Sequence, residues 1–208
     1  MDKNEIKGVV FDFGGVMTTK SAPERIYPII DGLGVSMDVV RAGFAKYRCL
    51  MDADLMSIRE MYSLIFEEAG LDVSAEDVGR IIEADMTSFL HPNAKTLEWM
   101  GALKSRGFKI GILTNMSTQL AARFRQTFAD FVFLADAMVI SGEERTYKPR
   151  IEIYRLVETR IGLPPGEICF VDDSETNCAG ARAAGWKTVL FKDNAQAVRD
   201  FEALVAAR

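Results

Sequence analysis

A doubly wound parallel α/β sheet is the fold this chain predicts, on two observations. Short apolar runs recur along it, and they are apolar throughout rather than at alternate positions, as strands covered on both faces require. The segments separating the later runs carry helical periodicity, so strand and helix alternate as in a crossover-connected sheet. Five runs meet the first condition: Gly8–Phe11, Lys109–Leu113, Ala137–Ile140, Ile168–Val171 and Thr188–Phe191. Ser117–Thr127 and Pro149–Ile161 are the clearest of the helices between them.

After the first run the alternation stops. From about Lys20 to Leu90 only helical patterns appear. Ser57-Ile58-Arg59-Glu60 and Ser74-Ala75-Glu76-Asp77 both set a hydroxyl three residues ahead of an acid, the capping-box arrangement. The first precedes Ile58, Met61, Tyr62, Leu64 and Ile65, with Gly70 as a stop. The second precedes Val78, Ile81, Ile82 and Phe89, and that run ends before His91-Pro92. Connections between a strand and a helix usually take ~2–6 residues. Residues 20–90 are therefore expected to form a helical cap inserted into a sheet domain made of 1–19 and 91–208. Thr18–Ser21 and Leu90–Asn93 would be the strands leading in and out, and His91, the lone histidine, is expected to be structural.

The 208 residues suit one sheet domain with an insert. At 49% hydrophobic and 26% charged, the composition supports an ordinary core. A net charge of −5 argues against a nucleic-acid partner. No apolar run approaches the ~18 residues that span a bilayer. The polar start leads into a strand too short for the ~7–15-residue apolar segment of a signal peptide, so a cytoplasmic protein is expected. Cys49, Cys169 and Cys178 have neither zinc spacing nor an even count. Cys169 lies in an apolar run and Cys178 on a predicted helix, and both are read as core filling.

The chemistry gathers at the ends of the runs. Asp12-Phe13-Gly14-Gly15-Val16 follows the first, Thr114-Asn115 the second and Asp172-Asp173 the fourth, with Lys148-Pro149 beyond the third. In an open parallel sheet, ligands bind at the carboxyl ends of the strands, so these residues are expected on one rim. A carboxylate desolvated there is costly unless a cation or hydrogen bonds compensate it, and the glycines let backbone and ligand approach closely. Three acids in one crevice call for a hard divalent cation, and Mg²⁺ typically takes one or two carboxylates plus substrate phosphate oxygens. One acid can then act as a nucleophile, with the Thr114 hydroxyl and the Lys148 charge serving an anionic transferring group. No Ser–His or Cys–His pairing competes.

Four segments, in this order, resemble the haloacid dehalogenase-like hydrolases: Val10-Phe11-Asp12-Phe13-Gly14-Gly15-Val16, Ile112-Leu113-Thr114-Asn115, Tyr147-Lys148-Pro149-Arg150, and Phe170-Val171-Asp172-Asp173-Ser174-Glu175-Thr176-Asn177, which continues into Gly180-Ala181 and Gly185. The resemblance covers nearly all of the chain. It implies a Rossmann-like core with a helical cap after the first segment. It also implies Asp12 as nucleophile, Thr114 and Asn115 as phosphate ligands, and Lys148 as the cation that stabilises the intermediate. Asp12, the Gly14 carbonyl and Asp173 would be Mg²⁺ ligands, with Asp172 orienting Lys148 or a metal-bound water and Asn177 in support. Phosphatases of this family usually carry a second aspartate where this chain has Gly14. The carbonyl there keeps the capacity to ligate a metal, while the acid–base side chain is lost. That chemistry is worth typically ~10²–10⁴-fold in rate.

The expected activity is a Mg²⁺-dependent phosphatase acting on a small phosphorylated metabolite, sugar phosphates among the candidates, through an aspartyl-phosphate on Asp12. The alternatives are a relative cleaving a C–P or C–halogen bond with the same nucleophile, or a catalytically weak binding member. Dehalogenases replace the acidic pair that stands here as Asp172-Asp173. Phosphonoacetaldehyde hydrolases need a cap lysine, for which Lys46 is the one candidate. Arg41, Lys46, Tyr47 and Arg48 fit a substrate-facing or a solvated helix surface equally well, and Glu143-Glu144-Arg145 fits a solvated loop that leaves a substrate role open to Arg145.

Overall fold

The computed structural model describes residues 5–19 and 26–206. Five parallel strands form one sheet in the order β3-β2-β1-β4-β5. They are β1 (Gly8–Phe11), β2 (Lys109–Thr114), β3 (Ala137–Ile140), β4 (Ile168–Asp172) and β5 (Lys187–Leu190). The last begins and ends one residue earlier than the sequence predicts. Just past its end, Phe191 still donates its N–H to the Asp172 carbonyl of β4.

Because side chains alternate across a strand, each continuous apolar run fills two layers at once. Val9 and Phe11 of β1, Ile110 and Ile112 of β2, and Cys169 and Val171 of β4 share one apolar cluster. There Phe11 meets Trp99 of α5 (Ala94–Ser105), which in turn meets Phe201 of α11 (Asn194–Ala206), all edge-on. Val10, Leu113, Val139 and Phe170 belong to a second cluster on the opposite face. Tyr154 of α9 (Ile151–Ile161) and Trp186 pack edge-on with Phe170 there.

The chain runs outward from β1 to β2 and β3, then returns to β4 on the other side of β1. That reversal opens a crevice at the carboxyl ends of β1 and β4, the place where such sheets bind ligands.

Among the described residues between β1 and α5 lie four α-helices: α1 (Tyr27–Gly32), α2 (Met37–Asp52), α3 (Ile58–Glu68) and α4 (Ala75–Ser88). Ser57 and Glu60 make both bonds of a capping box at α3. At α4 only one half forms: Ser74 caps Asp77 N–H, and the acid accepts from the Ser74 hydroxyl instead of reaching the backbone. Thr18 and Pro92 pair antiparallel where the chain leaves and re-enters the sheet region; Lys20 and Ser21 of the expected lead-in lie outside the described residues. Asn93 and Thr96 both donate to the Val16 carbonyl, pinning the re-entry to the turn after β1. Apolar residues of these helices, Val40, Met51, Met61 and Ile81 among them, belong to the same cluster as one face of the sheet. No described helix is long and apolar enough to cross a membrane.

The remaining helices are α6 (Thr118–Thr127), α7 (Ala129–Leu134), α8 (Ser141–Glu144) and α10 (Glu175–Ala183). Helix α9 starts two residues later than the sequence predicts, since Tyr147–Arg150 closes as a turn with Arg150 N–H on the Tyr147 carbonyl. Gly180 of α10 lets that turn sit close: a Cβ there would lie 2.7 Å from Tyr154 Oη and 2.8 Å from Pro149 Cβ. Gly180→Ala is therefore expected to cost about 1–3 kcal/mol through overpacking, despite the helix-propensity gain of about 1 kcal/mol. Urea unfolding checks this, and a stabilised variant would contradict it.

Candidate active site

Asp12 is the first residue past β1. Its N–H still donates to the Val171 carbonyl of β4, so the carboxylate is delivered at the β1–β4 crevice by sheet pairing itself. Phe13–Met17 follows as a tight turn. Gly15 has φ +74°, which favours glycine, and a Cβ there would collide with the Asp173 carboxylate. Gly14 is different. Its backbone (φ −66°, ψ 123°) suits any residue, and nothing lies within 4 Å of where its Cβ would be.

Lys148, 3% exposed, is the centre of the site. Its Nζ donates to Asp12 Oδ1 at 2.6 Å, to Asp172 Oδ2 at 2.8 Å and to the Leu113 carbonyl at 3.2 Å, which uses all three of its protons. The ammonium also lies 5.2 Å from the Phe170 ring centroid. The lysine backbone is gripped by Asn115, whose Oδ1 accepts from Lys148 N–H and whose Nδ2 donates to the Lys148 carbonyl. The Asn115 amide is thus spent on orienting the lysine loop. Asp172 is fully buried and accepts also from Ser174 N–H and Asn177 Nδ2. Tyr154 Oη in turn donates to the Asn177 carbonyl.

Asp12, Asp172 and Asp173 each offer an oxygen within 4.8 Å of the others. Two of these carboxylates hold the Lys148 ammonium, and Asp173 stands beside them. Burial works against the Lys148 charge, yet Asp12 and Asp172 outweigh it and hold its proton above the ordinary lysine value. Burial pushes the Asp12 carboxyl up to about 7, with Lys148 pulling it down and Asp172 and Asp173 pushing it further up. The excess negative charge is what a divalent cation with oxygen ligands relieves. Asp12, Asp172 and Asp173 are the cluster whose oxygens lie close enough together to hold such an ion.

Thr114 closes β2, buried and paired with Ile140 of β3, on the rim next to Asp12. Arg145, in the left-handed region at φ 53°, donates to the Asp54 carbonyl, while Glu143 and Glu144 pair with Arg125 and Arg160. Lys46 pairs with Glu68 at 2.5 Å on the surface, and that hydrogen bond raises its pKa. Arg41 likewise pairs with exposed Asp38. The Cys169 and Cys178 thiols are both pushed up to about 12 by burial, as packing groups are.

The sequence reading missed a buried polar cluster above the rim. Arg48 of α2 donates to Asp52 at 3.1 Å and to Asp85 of α4 at 3.4 Å, while Tyr62 of α3 donates to Asp85 at 3.0 Å. The Arg48–Asp52 spacing of four residues was its one visible signal, and solvated helix faces carry the same spacing.

A family model described as haloacid dehalogenase-like hydrolase matches residues 6–185. The chain belongs to the haloacid dehalogenase-like hydrolases. It is 28% identical to phosphoglycolate phosphatase of Salmonella choleraesuis over 91% of this chain and 82% of that one. A hydrolase of the same family from Porphyromonas gingivalis superposes with a TM-score of 0.74 at 18% identity, over 98% of this chain and 99% of that one. A family enzyme from Bacteroides thetaiotaomicron, solved with magnesium and inorganic phosphate, gives 0.63 at 22% identity, over 90% and 94%. As a haloacid dehalogenase-like hydrolase, this enzyme carries its acidic cluster at the strand ends of the shared fold.

Removing the central cation tests the electrostatics. Lys148→Met leaves Asp12 and Asp172 buried without it, an expected loss of about 3–5 kcal/mol. Burial already raises the Asp12 carboxyl, and losing Lys148 removes what pulls it down, so its protonation relieves the penalty. Measured by urea unfolding in chelator, the loss should be full at pH 8 and shrink toward pH 5. A loss independent of pH would contradict this account.

Proposed function

We propose that the protein is a Mg²⁺-dependent phosphatase acting on a small phosphorylated metabolite through an aspartyl-phosphate on Asp12. The observation that carries this reading is the Lys148 ammonium bridging Asp12 and Asp172, with Asp173 as a third carboxylate within 4.8 Å. Lys148 holds one Asp12 oxygen and so fixes the direction in which the carboxylate attacks phosphorus. Thr114, at the end of the neighbouring strand, supplies a hydroxyl to a phosphoryl oxygen, and the lysine charge offsets the negative charge of the transferring group. Asp12, Asp173 and the Gly14 carbonyl would hold Mg²⁺, which supplies further charge stabilisation to the phosphoryl group when bound. The phosphatase names among the relatives support the phosphate-ester chemistry.

Residues 20–90 serve in this reading as the cap over a core of 1–19 and 91–208, limiting water at the reacting centre. Two observations weigh against the other bond types. Asp173 adds a metal-suited carboxylate that metal-free dehalogenation does not need, and Lys46 is paired and exposed rather than desolvated for Schiff-base chemistry.

The deciding experiment is hydrolysis of an aryl phosphate and a panel of alkyl and sugar phosphates, with Mg²⁺ and with chelator. Asp12→Asn is expected to lower turnover by at least about 10³-fold. Asp173→Ala should raise the Mg²⁺ concentration for half-maximal rate by at least about tenfold. Near-native turnover by Asp12→Asn would overturn the mechanism.

A further inference from the structure

Cleaving an alkyl phosphate leaves an alkoxide that needs a proton, and the described residues that follow Asp12 in the turn offer no donor. Phe13, Gly14, Gly15, Val16 and Met17 have no titratable side chain. The Lys148 protons are all held, Asp172 is saturated by hydrogen bonds, and Asp12 and Asp173 have other work. Beside this gap is the open space around Gly14.

Asp52 ends α2, nine-tenths buried. Its backbone carbonyl accepts from Ser141 Oγ at 2.5 Å, and that hydroxyl accepts from Met116 N–H at 2.7 Å, two residues beyond Thr114. Asp54, with φ 50°, accepts from Thr118 N–H at 3.2 Å, and Arg145 donates to its carbonyl. The Asp52–Asp54 elbow is thus bolted to the loops at the ends of β2 and β3, on the rim that holds Thr114. Among the described residues, the one side-chain hydrogen bond of Asp52 comes from Arg48, to Oδ1. Arg48 is shared with Asp85, which also has Tyr62, so Asp52 is the less compensated of the two acids.

We propose that Asp52 performs the proton transfers of this hydrolysis, the role that no side chain at position 14 can take. The inference rests on the phosphatase reading above. In the first half-reaction an Asp12 oxygen bonds to phosphorus, the bond from phosphorus to the ester oxygen breaks, and its electron pair stays on that oxygen. The Asp52 carboxylic acid gives it a proton and the alcohol departs. In the second, Asp52 carboxylate takes a proton from water as the water oxygen bonds to phosphorus. The bond from phosphorus to Asp12 breaks, returning inorganic phosphate, the Asp12 carboxylate and a protonated Asp52.

The surroundings of Asp52 suit the task. Burial pushes its carboxyl up to about 6, Arg48 on its own helix pulls it down, Asp85 from α4 pushes it up, and Lys148 across the rim pulls it down. A proton-transfer group works best when its pKa lies near the operating pH.

The test compares wild type and Asp52→Asn with Mg²⁺ on p-nitrophenyl phosphate and on the best alkyl phosphate of the panel. An aryl leaving group departs without a proton and an alkyl one does not. The alkyl rate is expected to fall by about 10²–10⁴-fold, and the aryl rate far less. Equal losses on both substrates would make Asp52 structural, and an undiminished alkyl rate would exclude it; either overturns the proposal. So would a wild type that hydrolyses aryl but no alkyl phosphates. A wild type inactive on both would instead defeat the phosphatase reading. Should Asp52→Asn not fold, the wild-type ratio of alkyl to aryl kcat/KM decides. That ratio should fall as pH rises through about 6 and Asp52 loses its proton, whereas a flat ratio overturns the assignment.

Discussion

Everything at the carboxyl rim depends on a buried ammonium between two carboxylates. Isolated, such a group is expensive, since desolvating three charges costs several kcal/mol per ion before any attraction is counted. The fold compensates with geometry. Each Lys148 proton has an acceptor, the loop bearing the lysine is held by both ends of the Asn115 amide, and Asp172 is fixed by a backbone N–H and by Asn177. Tyr154 then ties Asn177 to α9 on the same face of the sheet. A hydrophobic triad of similar volume would be easier to bury, so this arrangement makes sense as chemistry rather than as a stabilising device.

Much of this was legible in the chain because parallel sheets obey a simple rule. Continuous apolar runs mark strands buried on both faces, and polar residues just after them must share a rim. Asp12, Asp172 and Asp173 follow from that rule and meet at one rim, with Thr114 at the end of the neighbouring strand, while Lys148 reaches them from the loop beyond β3. What the rule does not reach is the use of each atom. Thr114-Asn115 carries the same signal whether the amide meets phosphate or, as found, the lysine backbone. Nor does it reach pairings across helices. Arg48, Tyr62 and Asp85 come from three helices whose periodicity shows one apolar face each but not the angle at which they meet. In sequence Arg48 fits a substrate-facing or a solvated helix surface equally well, while in the structure it lies over the Phe44 and Phe89 rings, with both acids within reach.

The attachment of the inserted helices shows how few bonds can set a position. One hydroxyl, Ser141 Oγ, joins the end of α2 to the loop after β2. The Asp54 carboxylate and carbonyl add two more anchors on the same side. On the opposite side, the Thr18–Pro92 bridge and the Val16 carbonyl hold the points where the chain leaves and returns. The apolar cluster common to these helices and the sheet fills the space between.

Gly15 and Asp173 stand far apart in the chain, yet the missing Cβ of one is filled by the carboxylate of the other. A larger side chain at position 15 displaces the acid, whereas a smaller one at 173 leaves a gap beside the glycine turn. The two positions share one volume, so a single glycine marks where the last acid stands.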